Sequence, residues 1–86
     1  MTPAQLGGME RVRGEAVVRS MSLDTRKAVA RRIVAATSSP GKPEYEMPLS
    51  PTARALLVMD YGLSAEEVDR MSNQEVFARL ADLTGK

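Results

Sequence analysis

The residue types that carry most enzyme chemistry are missing from this sequence of 86 residues, which contains no Cys and no His. Thiolate nucleophiles, imidazole acid–base catalysis, disulfides and the usual zinc sites are therefore excluded. The remaining candidates are the acids Glu66, Glu67 and Asp69 and a Ser–Lys group within residues 38–42. Helix capping explains the acids, and a proline-rich segment cannot hold the Ser–Lys group in place. We expect no enzyme activity, no cofactor and no small-molecule substrate.

Charge is distributed unevenly along the chain. Residues 1–43 carry a net charge of +5 and residues 44–86 carry −4, within a total of +1. A basic half of this kind is expected to bind an acidic surface. The candidate partner-binding residues are Arg11, Arg13, Arg19, Lys27, Arg31 and Arg32.

The favoured function is that of a non-enzymatic helical adaptor or regulatory protein. Its partner would be an acidic protein surface or a second copy of the chain, which would form an oligomer. The alternative is a DNA-binding regulatory protein that uses the Arg-rich half. Aromatic residues make up only 3 % of the chain, which disfavours binding of single strands by stacking. Recognition of duplex DNA by the last two helices is not expected, because the connection between them is shorter than that of a helix-turn-helix motif. Their acidic residues would also repel the DNA phosphates.

Membrane binding is not expected from this sequence. No apolar run is long enough to span a bilayer, and the N-terminus lacks the apolar block of a signal peptide. These features favour a cytoplasmic protein. Nine Arg against three Lys, with eleven Ala, suggest GC-rich coding and a bacterial or phage source.

The most informative stretch for the fold is 50–62, S-P-T-A-R-A-L-L-V-M-D-Y-G. Ser50 is predicted to cap a helix, Pro51 to occupy its first position and Gly62 to close it. Its apolar residues cover nearly every direction around the helix axis, as they do in a helix that is packed on most sides. The other segments are therefore expected to pack around this central helix.

Two capping boxes follow the central helix. Ser64 with Glu67 predicts a helix over about 65–71, and Ser72 with Glu75 predicts one over about 73–83. Leu63 and Met71 directly precede the two caps. Each is expected to form a hydrophobic staple with a residue of the following helix, Leu63 with Val68 and Met71 with Val76. Together with the central helix they predict a three-helix unit. The expected main core is Leu56, Leu57, Val68, Val76, Phe77 and Leu80.

The first half predicts two helices. Gly7 and Gly8 should interrupt a helix that starts near Thr2, which leaves a firmer helix over about 9–20. Its expected inward stripe is Met9, Val12 and Ala16, with Val17 to one side and Val18 outside. A second helix from Leu23 to about residue 37 should bury Val29, Ala30, Ile33, Val34 and Thr37.

The sequence thus predicts an all-α protein of four to five short helices. Residues 1–37 form a basic helical segment, 38–49 a proline-rich linker and 50–86 the C-terminal three-helix unit. We expect the last unit to be stable by itself, because its cap and core signals are the strongest in the chain.

Overall fold

The computed structural model describes residues 2–38 and 49–85, and these form five helices and no strand. The fold is therefore all-α, as predicted. Most of the predicted linker lies outside the described residues. The helices are α1 (Pro3–Arg19), α2 (Leu23–Ser38), α3 (Leu49–Met59), α4 (Ala65–Arg70) and α5 (Asn73–Thr84).

Helix α3 is the centre of the fold, as its apolar composition predicts. All four other helices pack against it, α1 most extensively, and residues 52–57 are buried. Its C-terminal end is also as predicted, because Gly62 has a positive φ of 75°. This left-handed turn lets the amide of Leu63 donate to the carbonyl of Leu57 at 3.0 Å.

The start of α3 differs from the prediction. The helix begins at Leu49, so Ser50 already lies inside it and is not its cap. The Ser50 hydroxyl instead lies 3.0 Å from Glu10 Oε2 and 2.7 Å from Asn73 Oδ1. This side chain therefore connects α3 to α1 and α5.

Helix α1 begins at Pro3, and the prediction of an interruption at Gly7 and Gly8 is wrong. The start signal itself is correct: Thr2 accepts from the amide of Gln5, and the Gln5 side chain accepts from the amide of Thr2. Helix α1 runs through both glycines because Gly7 is a site of close packing on the backbone of Asp69. This tertiary contact outweighs the roughly 1 kcal/mol that each glycine costs in helix propensity.

Gly7 and Gly14 bring α1 very close to its neighbours. A Cβ atom at Gly7 would lie 2.2 Å from the carbonyl oxygen of Asp69, and one at Gly14 would lie 1.8 Å from that of Pro51. Residues seven apart lie on the same side of a helix, and Val18 continues this side into the core with no exposed surface. The glycine side of α1 is therefore its inward side.

The predicted inward stripe of α1 consequently faces outward. Met9 is 48 % exposed and Val12 is 58 % exposed, and Ala16 is exposed as well. Val18, which was expected to lie off the packed face, is fully buried instead. The prediction failed because counting apolar residues gave no weight to the glycines that allow close helix packing.

Helix α2 follows its prediction closely. Val29, Ala30 and Ile33 are buried, and Val34 packs against the core at its edge. Its inward side contacts α5 and, less extensively, α3. The side chain of Thr37 is outside the described part of the structure.

The C-terminal helices are positioned by their serine caps. Ser64 accepts from the amide of Glu67 at 3.1 Å, and Ser72 accepts from that of Glu75 at 3.2 Å. Five of the six predicted core residues are fully buried. The exception is Phe77, which is half-buried and packs on the edge of the core.

Replacing either cap serine by alanine is expected to lower the free energy of unfolding by about 1 kcal/mol, because one helix amide loses its acceptor. Chemical denaturation of Ser64→Ala and Ser72→Ala measures this loss. Asparagine caps helices as well as serine does, so Ser64→Asn and Ser72→Asn should retain wild-type stability. Equal stability of the alanine and asparagine variants would show that the caps contribute little.

Arg54 is a buried charge at the meeting point of α3, α4 and α5, with only 4 % of its surface exposed. Its Nη1 donates to the Val68 carbonyl at 2.5 Å, and its Nη2 donates to the Met71 carbonyl at 2.7 Å and to Asn73 Oδ1 at 3.1 Å. Its Nε donates to Glu10 Oε2 at 3.2 Å. Arg54 thus binds two carbonyls at the C-terminal end of α4, where positive charge is favourable. The carbonyl of Val68 also accepts from the amide of Met71.

Candidate protein-binding surface

Arg11 is held inside the protein by two carboxylates. Its Nε donates to Asp69 Oδ1 at 2.7 Å, and its Nη1 pairs with Glu15. The hydrogen bond to Asp69 raises the pKa of Arg11, whereas partial burial acts in the opposite direction. Arg11 therefore connects α1 to α4, and it has the least freedom among the six predicted partner-binding residues.

Arg19 also has an internal contact, but a weaker one. Its Nη2 lies 3.3 Å from Glu15 Oε2, and 69 % of its side chain is exposed. Glu15 thus lies between two arginines. An exposed ion pair of this geometry contributes little stability, so Arg19 keeps most of its freedom to contact a partner.

The other four predicted residues, Arg13, Lys27, Arg31 and Arg32, are exposed. Within residues 2–38 and 49–85 they form no ion pair. Three of them lie on α2, away from the buried Val29 and Ile33. We call Lys27, Arg31 and Arg32 the α2 cationic surface.

A groove of about 260 Å³ adjoins this surface where the start of α2 meets the end of α3. Leu23, Met59 and Tyr61 give it apolar walls, and Lys27 lies at its edge. Leu23 is 68 % exposed, so it contributes accessible apolar surface to the groove. The groove thus combines accessible apolar surface with an unpaired cation.

An ion pair between Arg26 of α2 and Asp60, which follows α3, connects the two sides of the groove. Arg26 donates from Nε to the Val18 carbonyl at 3.1 Å and from Nη1 to Asp60 Oδ1 at 3.3 Å. Burial and the charge of Asp60 raise the pKa of the Tyr61 hydroxyl, and the charge of Arg31 acts in the opposite direction. Arg31 therefore lies near enough to influence the groove electrostatically.

Sequence reasoning identified the cations of this site but missed its apolar part. Leu23 lies off the buried stripe of α2, so its exposure could have been recognised from the sequence. Tyr61, which directly precedes the turn at Gly62, is half-buried at the edge of the core. The missing information was that the start of α2 and the end of α3 lie side by side. Only the tertiary fold supplies it.

The described residues contain no group of three or more His, Cys, Asp or Glu side chains that could hold a metal ion. Glu66 and Glu67 lie in the first turn of α4, as capping predicts. Among the helices described, none combines the length and apolar character needed to cross a membrane.

Comparison with known proteins provides no relative for this chain: no protein-family model, no curated protein and no solved structure matches it.

Proposed function

We propose that this protein is a non-enzymatic helical adaptor that binds an acidic protein through the α2 cationic surface and the groove beside it. The observation that supports this most directly is the difference between the basic residues. Arg11, Arg26 and Arg54 pair with carboxylates of the chain itself, whereas Lys27, Arg31 and Arg32 are exposed without an ion pair in the described residues.

The groove favours a protein partner over nucleic acid. Cations alone would suit a phosphate backbone as well as carboxylates. The apolar walls formed by Leu23, Met59 and Tyr61 offer a place for an apolar side chain, and apolar anchors are typical of protein interfaces. The partner would therefore present carboxylates next to an apolar residue.

Reversing the charge of the α2 cationic surface should abolish this binding. We expect Arg31→Glu with Arg32→Glu to weaken binding of a Glu-rich peptide that contains leucines by about tenfold or more. Helicity and melting should change little, because both residues are exposed. Binding is measured by isothermal titration calorimetry at low and moderate salt, and folding by circular dichroism.

A matched control is available in the second half of the chain. Arg70 and Arg79 are also exposed, so Arg70→Glu with Arg79→Glu changes the net charge equally at another place. This control should retain binding. Equal losses in both double variants would contradict a specific site. Binding of duplex DNA with a steep salt dependence, lost in the α2 variant, would favour the DNA-binding alternative.

A further inference from the structure

Helix α1 presents an apolar stripe to solvent on the side opposite Gly7 and Gly14. Leu6 is 51 % exposed, Met9 48 % and Val12 58 %. Their spacing of three residues places them next to one another along about two helical turns. We call Leu6, Met9 and Val12 the α1 stripe. A contiguous group of this kind differs from singly exposed apolar residues, which are common on protein surfaces.

The inward packing of α1 leaves no freedom to bury the stripe by rotating the helix. Gly7 and Gly14 contact the backbones of Asp69 and Pro51 so closely that only their side of α1 fits there. Arg11 and Glu10 add ion pairs on the inward side, to Asp69 and Arg54. The stripe is therefore a fixed surface that only another chain or segment could cover.

The charges around the stripe select the kind of partner. Arg13 lies four residues after Met9 on the outward side, and no ion pair engages it within the described part of the chain. Arg19 is 69 % exposed one and a half turns further on. The acids of α1 face inward: Glu10 pairs with Arg54, and Glu15 pairs with Arg11 and Arg19. The free charge beside the stripe is therefore positive.

This charge argues against a second copy as the occupant. A two-fold axis through the stripe would bring the same surface of both copies together. The carboxylates of α1 are already paired with Arg54, Arg11 and Arg19, so this surface offers none to neutralise Arg13 of the other copy. A segment with carboxylates beside its apolar residues would instead neutralise Arg13 and Arg19.

We infer that the α1 stripe binds an acidic amphipathic helix of another protein, whose apolar side packs on Leu6, Met9 and Val12 while its carboxylates pair with Arg13 and Arg19. A helix fits because residues spaced three apart form an inclined ridge about two turns long, and packed helices bury such ridges against each other. The stripe lies on α1, which packs on α3 and α4, whereas α2 packs on α5 and α3. The inference thus concerns a second surface and goes beyond the proposed function.

A phage-displayed library of helical peptides tests this inference. Peptides of about 20 residues are long enough to form helices when bound, and their surface positions are randomised. Selection uses the whole chain as target, with the variant Met9→Ser, Val12→Ser for counter-selection. Both replaced residues are exposed, so the variant should keep its fold, which circular dichroism checks. We expect enriched peptides that carry Leu or similar residues at helical spacing together with Asp and Glu.

The enriched peptide is then synthesised and its affinity is measured by fluorescence anisotropy. It should bind the double serine variant at least about tenfold more weakly, and Arg13→Glu should weaken it as well. Leu23→Ser is the matched control, because Leu23 is equally apolar and exposed but lies on α2. This control should bind the peptide as the unchanged chain does.

Three outcomes would overturn the inference. The selection could enrich cationic peptides or none at all. The peptide could lose affinity with Leu23→Ser and not with the double serine variant, which would place it in the α2 groove and leave the proposed function intact. Light scattering could reveal a dimer that the double serine variant abolishes, which would make a second copy the occupant of the stripe.

Discussion

Replacing Gly14 by alanine is expected to destabilise the protein by about 3 kcal/mol or more, at the upper end of the range for overpacked sites. The new Cβ would lie 1.8 Å from the Pro51 carbonyl oxygen, which belongs to the backbone of α3 and cannot rotate away. Helix α1 would have to move outward and lose the burial of Val18. Urea denaturation followed by circular dichroism measures the loss.

Gly8→Ala is the matched control for this prediction, because it places the same substitution on the same helix. Its Cβ would lie 3.1 Å from Asp69 Oδ2, the end of a flexible side chain. The gain in helix propensity, up to about 1 kcal/mol, should offset that small displacement. If Gly14→Ala were as stable as Gly8→Ala, the close packing of α1 on α3 would be wrong.

Replacing Arg54 by methionine is expected to destabilise the protein by about 3 kcal/mol or more, although methionine is similarly long and apolar. Two hydrogen bonds from a charged donor would be lost, and each such bond is worth roughly 1.5–3 kcal/mol. The Met71 carbonyl would lose its Arg54 donor, whereas that of Val68 would keep the amide of Met71. Glu10 would lose its partner too, but it is partly exposed and can be hydrated. Chemical denaturation again provides the measurement.

Arg54→Lys separates charge from geometry at this site. A single ammonium group retains the positive charge but cannot reach all the acceptors that the planar guanidinium binds. Its stability should therefore lie between those of the methionine variant and the unchanged chain. A methionine variant that lost less than about 1 kcal/mol would mean that Arg54 does not hold α4 in place.

The sequence predicted the helices best where local signals mark their ends. Ser64, Ser72 and Gly62 act through neighbours a few residues away, so their roles follow from the chain alone. The periodicity of Val29 and Ile33 likewise identifies the buried side of α2. These features do not depend on which helix becomes the neighbour.

The sequence did not predict the roles of residues that depend on which other helix packs against them. Gly7 and Gly14 weaken a helix in isolation, and only the backbones of Asp69 and Pro51 show that they are contact points. The sequence does not explain why the apolar helix α3 contains the charged Arg54. The structure does, because Arg54 donates to carbonyls at the end of α4. Propensity and composition describe a residue by itself, and these residues act through distant partners.

Ion pairs within the molecule account for part of the uneven charge of the chain. The acidic half provides carboxylates for the basic half of the same molecule, through Arg11 with Asp69 and Arg26 with Asp60. The excess positive charge is therefore partly neutralised within the fold. Among the described residues of the basic half, the exposed cations without an ion pair lie on the α2 cationic surface and, as Arg13, beside the α1 stripe. These surfaces can be identified only once the internal pairs are known.

The close packing of α1 also has a consequence for the order of folding. Its partners are far away along the chain: Ser50 contacts Glu10 across 40 residues, and Arg11 meets Asp69 across 58. Closing loops of this length loses chain entropy before any contact compensates, so such contacts slow folding relative to bundles whose neighbouring helices pair in sequence. Helix α1 is synthesised before α3 and α4, yet it can dock only after both have been made. Until then its glycine side and its apolar stripe are both exposed to other molecules.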